Sequence, residues 1–143
     1  MTAARLLIDT NVFLAARAPA EPGHAASRRL LDAVDDGRFE ALVSVVTLAE
    51  LRAGFPAAQL PALWTPFLSH LRASPSYSIE PVVEAIALLA GELREATHLA
   101  LPDALILATA QLRGAECVVT QDRERLGTKS AVASKPPGEL LEE

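Results

Sequence analysis

The sequence predicts a three-layer α/β/α sandwich around a central, mainly parallel sheet of four to five strands. Three observations predict it. Short β-rich apolar runs alternate with longer segments of helical periodicity, the order that a parallel sheet with crossover helices requires. The runs are apolar without alternation, as strands covered on both faces are. The length of 143 residues is near the commonest size for one domain and suffices for one hydrophobic core.

Leu6-Leu7-Ile8 is the first buried run. Val12 to Ala16 reads as helix, broken by APAEPG at Ala18 to Gly23. From His24 to Asp36 the apolar positions Ala26, Leu30, Leu31 and Val34 recur at helical spacing, and Gly37 is placed to end the helix. ALVSVV, Ala41 to Val46, is a second strand followed at once by TLAELRAGF. Leu60, Leu63, Trp64, Phe67, Leu68 and Leu71 trace one face of a further helix, with Pro61 suited to its start and Pro66 to a break or kink.

SYSIEP reads as a brief extended piece, and Val82, Ile86, Leu89, Ala90 and Leu93 outline a long helix reaching about Ala96. LPDALILATAQLRG is apolar nearly all round, with Pro102 near its start and Gly114 as its stop. Such a helix is buried on several sides. Cys117 to Thr120 is a third strand, and Ala131 to Ala133 a faint fourth before KPPGELLEE. With no internal repeat, low-complexity tract or linker, residues 1–143 read as one domain, with a core of about 5–133 and a C-terminal tail at 134–143.

Half the residues are apolar but only 4% aromatic, so the core is built mostly of Ala, Leu and Val. The single cysteine, Cys117, excludes an internal disulfide framework and fits a reducing compartment. Asp9 interrupts the N-terminal apolar stretch, so no signal segment is expected, and no segment approaches the ~20 apolar residues of a membrane span. The expectation is a cytoplasmic protein without a membrane. The net charge of −5 argues weakly against a general nucleic-acid surface. If four of the 18 acids were gathered in one site, the remaining 14 would face 13 bases and leave the surface near neutral.

Ligands bind outside the carboxyl ends of strands in open parallel sheets, and acids stand at those places. Asp9 follows the first strand with Thr10 and Asn11, and Glu50 lies in the first turn after the second. Asp122 follows the third strand, after Thr120, and Asp103 opens the buried helix before it. Each has an ordinary reading. Asp9 or Asn11 serves as an N-cap, and Thr47 with Glu50 matches a capping box. Asp103 suits a helix dipole and Asp122 a cap on RERLG. Four acids converging on one edge would nonetheless repel one another, and a cation sustains such a cluster. An all-oxygen set suits Mg²⁺ or Mn²⁺. His24, His70 and His98 are dispersed and offer no zinc spacing.

The stretches LLIDTNVF, VSVVTLAELRAG and LPDALILATAQLRGAECVVTQDRERL, in that order, resemble the PIN-domain ribonucleases, and among them the VapC-type toxins of bacterial toxin–antitoxin systems. The resemblance runs from Leu6 to about Leu126, and PDALILATA followed by VVTQD is its most specific part. It implies a PIN-like fold and an acidic quartet of Asp9, Glu50, Asp103 and Asp122 that binds metal, with Thr120 and Asn11 as polar helpers and Thr10 as a weaker candidate of the same kind. It further implies a Mg²⁺- or Mn²⁺-dependent endoribonuclease that leaves a 5′-phosphate and a 3′-hydroxyl. A homodimer and a cognate VapB-type antitoxin, whose tail occupies the active-site groove, are implied as partners. The family often has an aromatic residue where this chain has Leu126.

Arg123 and Arg125 are candidates to contact substrate phosphates, or else form a solvated helix face. Cys117 reads as a buried strand residue, and Trp64 and Phe67 as core or as an interface with a dimer mate or antitoxin helix. A Mg²⁺-binding receiver-like signalling domain is a rival reading. It calls for paired acids after the first strand and a lysine after the last, whereas Asn11 stands near Asp9 and the only lysines are Lys129 and Lys135. An aspartyl phosphatase calls for a second aspartate where Asn11 stands. A catalytically silent RNA-binding PIN-like module is the remaining alternative, against which the complete quartet speaks.

Overall fold

Successive side chains of a strand point to opposite faces of its sheet, and the apolar runs of this chain bury both. A computed structural model describes residues 3–141. Its five strands are β1 (Ala4–Ile8), β2 (Phe39–Ser44), β3 (Tyr77–Glu80), β4 (Cys117–Val119) and β5 (Ala133–Lys135). All neighbouring pairs are parallel, in the order β3-β2-β1-β4-β5. Leu6 and Ile8, Ala41 and Val43, and Cys117 and Val119 share one buried cluster with Val12, Phe13, Leu30, Val34, Leu51 and Leu71. Leu7, Leu42 and Val118, one residue out of phase, join Ile106, Leu107 and Ala110 on the other side. The unalternating composition read from the sequence is therefore two interleaved core faces.

The first face is covered by α1 (Thr10–Arg17), α2 (His24–Asp35), α3 (Val45–Ala53) and α4 (Thr65–Ala73). The second is covered by α6 (Leu101–Leu112), on which α5 (Glu84–Thr97) packs through Ile86, Ala90, Ala104 and Ala108. Small side chains at that contact let the two helices approach closely. Two short helices follow: α7 (Arg123–Leu126) after β4 and α8 (Pro137–Leu140) after β5. Among the described residues no helix is long and apolar enough to cross a membrane.

Three local readings change. β2 ends at Ser44, because the Ser44 hydroxyl accepts from Val46 N (3.0 Å) and caps α3. Val45 and Val46 are thus helical, Thr47 is not the cap, and Glu50 lies beyond the first turn of α3. The helix foreseen through Leu60 and Leu71 is divided. A wide π-type turn over Leu60–Trp64 precedes α4, with Thr65 N and Thr65 Oγ1 both donating to Leu60 O. Pro66 lacks the N–H that would continue the ladder and sits in the first turn of α4 instead. The fourth strand of the sequence reading falls at Ala133–Lys135, slightly later than foreseen. After it Pro137 is buried, and Leu140 and Leu141 pack on the first core cluster.

The strand order places the site. β1 to β3 grow outward on one side, and β4 returns to the other side of β1. The order reverses between β1 and β4, and ligands bind at the carboxyl ends of strands beside such a switch point.

The end of α5 gives a stability test. His98 caps it at φ 62°, in the left-handed region, with its N–H on Arg94 O. Replacing it by glycine removes the Cβ penalty of that conformation, partly offset by the greater freedom of unfolded glycine. His98→Gly is expected to stabilise the protein by up to about 1 kcal/mol. The urea midpoint should rise with an unchanged slope.

Candidate active site

Asp9 ends β1 and caps α1, and only 2% of its surface is exposed. A carboxylate so buried must be hydrogen-bonded, and it is. Its Oδ1 accepts from Thr10 N (2.8 Å), and its Oδ2 accepts from Thr120 Oγ1 (2.8 Å) and Asn11 Nδ2 (3.1 Å). Thr120, fully buried just past β4, is saturated in turn. Its one proton goes to Asp9, and its oxygen accepts from Asn11 Nδ2 (3.0 Å) and Asp122 N (3.1 Å). Asn11 completes the seam by accepting from Gln121 N (2.9 Å). These bonds join the ends of β1 and β4 across the switch point.

Gln121 extends the seam to α2 through a hydrogen bond from its Nε2 to Ser27 Oγ (3.0 Å). Gly23, at φ 79°, precedes α2, and a Cβ there would fall 1.7 Å from Gln121 Oε1. Glycine is needed at this point for both conformation and space.

The other acids approach from separate elements. Glu50 is on the exposed side of α3, where its Oε1 accepts from Thr10 Oγ1 (2.7 Å). Thr10 shares a further 3.1 Å hydrogen bond with Thr47. Asp103 lies in the first turn of α6, and half-buried Asp122 caps α7 by accepting from Glu124 N (2.9 Å). The capping readings of Asp9 and Asp122 are thus correct as local structure. Burial pushes the Asp103 carboxyl above the usual carboxylate range. Arg125 pulls the other way, while Asp9, Asp122 and Glu50 all add to the rise. All three are therefore within electrostatic reach of Asp103.

Arg125 departs from both readings of the sequence. It is neither a solvated surface residue nor free to meet a substrate: 2% exposed, it forms ion pairs with Asp9 Oδ2 (3.0 Å) and with Asp103 Oδ1. Arg123 is exposed. Residues two apart on a helix point to nearly opposite sides, so only one of the two arginines of RERL faces outward. That spacing was the available signal. Thr10, the weaker polar candidate beside Asp9, does donate to a carboxylate, that of Glu50, whereas the role of Gln121 left no comparable trace.

The donor set, four carboxylates with hydroxyl and amide oxygens, fits a hard divalent cation in type. In charge it also fits, since one buried guanidinium stands among four acids. Yet among the described residues no three acid, histidine or cysteine side chains are already gathered as a cage. Beside Asn11, a cleft of about 420 Å³ opens, lined also by Leu14, Ala15, Arg17, Ala18 and Glu21. Cys117 is buried, and its thiol is pushed up to about 11, which leaves it inert. Trp64 and Phe67 are half-buried and pack on the first core cluster.

Comparison with known proteins adds the following. A model of the PIN domain matches residues 6–127. No curated protein matches the chain. Among solved structures, the fold is similar to a toxin–antitoxin complex from Klebsiella pneumoniae, at 24% identity and TM-score 0.67 over 92% of this chain and 97% of that one. It is similar to VapBC2 from Rickettsia felis bound to a promoter DNA fragment, at 18% identity and TM-score 0.70 over 92% and 98%. It is also similar to VapC20 of Mycobacterium tuberculosis, a toxin that cleaves the sarcin–ricin loop, at 16% identity and TM-score 0.63 over 82% and 90%.

Two measurements check this geometry. Thr120→Val removes a donor to Asp9 and the acceptor of two amides, and is expected to cost about 1–3 kcal/mol. Thr120→Ser should stay near wild type in urea denaturation. In metal-free protein, an NMR titration should place the Asp103 midpoint above its ordinary value of 3.8. The folded state then holds this proton more tightly than the unfolded one. Asp103 therefore favours folding below 3.8, and that contribution is lost as pH rises through the folded-state value.

Proposed function

Since the chain belongs to the PIN domain family, we propose that it is a metal-dependent endoribonuclease and the toxin of a type II toxin–antitoxin system. The observation that supports this reading is that Asp9, Glu50 and Asp122 all lie within electrostatic reach of Asp103, with Asp9 oriented by Thr120 and Asn11. The toxin role draws support from the similar folds in toxin–antitoxin complexes, and RNA as substrate from the sarcin–ricin-loop toxin among them. By the same likeness the cognate partner is a VapB-type antitoxin; the working form, as the resemblance in sequence implies, is a homodimer.

Asp9, Glu50, Asp103 and Asp122 would hold Mg²⁺, for which Mn²⁺ substitutes. Such an ion would supply Lewis acidity, lower the pKa of a bound water and steady the leaving oxygen. The chain's own groups prepare the rest. Thr120 and Asn11 fix Asp9 Oδ2, so that Asp9 need not reorganise when substrate arrives. Thr10 anchors Glu50, which otherwise stands on the open side of α3. Exposed Arg123 is placed to meet a phosphate of the RNA backbone, and the open cleft beside Asn11 gives a single strand room to lie.

Purified protein should cleave RNA in Mg²⁺ or Mn²⁺ and stop on chelation. Asp9→Asn keeps a cap-capable side chain, and should retain the fold while cleaving at least about a hundredfold more slowly, the scale of losing a principal electrostatic group. Expression of wild type should arrest growth, and Asp9→Asn should relieve the arrest. Equal behaviour of the two proteins in both assays would exclude the nuclease and favour a binding-only module.

A further inference from the structure

Arg125 is the charged group nearest the heart of the site and the one least explained by the fold. Its guanidinium is sealed from water between two carboxylates that come from distant elements, the end of β1 and the start of α6. A structural arginine in such a place is normally saturated, because each donor left unpaired on burial is costly. Here Nε and NH1 have no hydrogen-bond partner among the described residues, although NH1 lies within ion-pair distance of Asp9. The side chain is therefore held mainly by charge. Its two partners are also half of the proposed metal-binding quartet, while Glu50 and Asp122 make no ion pair among the described residues.

We propose that Arg125 is the built-in counter-ion of the cation site: it keeps Asp9 and Asp103 together in the absence of metal and competes with the divalent cation for them. The inference rests on the reading of these acids as metal ligands. One guanidinium offsets only part of the charge of four carboxylates, so a divalent ion is still attracted. It must nevertheless share or displace Arg125, and the site binds its cation more weakly than four acids alone would. Arg125 is in this sense a positioning residue, acting on the ion through Asp9 and Asp103. An arginine with only a structural role predicts the reverse, since its loss would loosen the two acids and weaken metal binding.

The test measures Mn²⁺ binding to the purified full chain from the electron paramagnetic resonance signal of free Mn²⁺, so that no RNA cleavage is needed. Removing a unit charge next to the ion should tighten binding by about tenfold or more, given the strength of charge pairs a few ångströms apart. Arg125→Met is expected to show that gain, along with a lower melting temperature without metal and a larger rise on adding Mn²⁺. Arg125→Lys, which keeps the charge, should stay close to wild type. Arg125→Gln replaces Arg125→Met if the latter does not fold. In wild type, the Arg125 Nε–H resonance should shift as Mg²⁺ saturates the site.

Unchanged or weaker Mn²⁺ binding by the neutral variants, or an unmoved Nε–H resonance at saturation, overturns the inference while leaving the metal site intact. Absence of Mn²⁺ binding by wild type and neutral variants alike overturns the metal-site reading and this inference together.

Discussion

A carboxylate withdrawn from water at the end of the central strand constrains everything around it. Asp9 has no solvent to screen it, so its environment must supply donors from several directions at once. The chain does this with a backbone amide at the start of α1, a hydroxyl beyond β4, a side-chain amide and a guanidinium. None of these is a passive neighbour. Thr120 spends its single proton on Asp9 and uses its lone pairs to hold Asn11 and the amide of Asp122. The polar seam thereby fixes how β1 and β4 end, and with them the entrances to α1 and α7.

Much of this architecture was legible in the sequence, because periodicity reports burial and burial reports layers. Runs such as Leu6-Leu7-Ile8 and Cys117-Val118-Val119 have no polar alternation, and both of their faces are covered. The four acids were legible for a related reason, since each follows a strand or opens a buried helix in the sequence. Asp9 and Asp122 are at once caps and members of the cluster, so the bland and the functional readings were never exclusive there.

The remainder depended on contacts that local pattern does not encode. Val45 and Val46 look like strand, but Ser44 caps a helix on its own side chain and so ends β2 early. Glu50 looked tied to Thr47 by a capping box, yet its hydroxyl partner is Thr10, from another helix. Arg125 occupies a four-residue helix, too short for periodicity to say which way it faces. Only the fold, by packing α7 against β5 after the end of β4, turns that side chain toward Asp9 and Asp103.

The seam between Asp9, Asn11, Thr120 and Gln121 joins residues 109 to 111 positions apart. A nascent chain emerging from the ribosome therefore carries Asp9 well before Thr120 and Gln121 exist to complete its surroundings. Prematurely terminated products that lack β4 and α7 leave Asp9 without Thr120 and without Arg125. The order of synthesis itself keeps this site unassembled until β4 and α7 have been made.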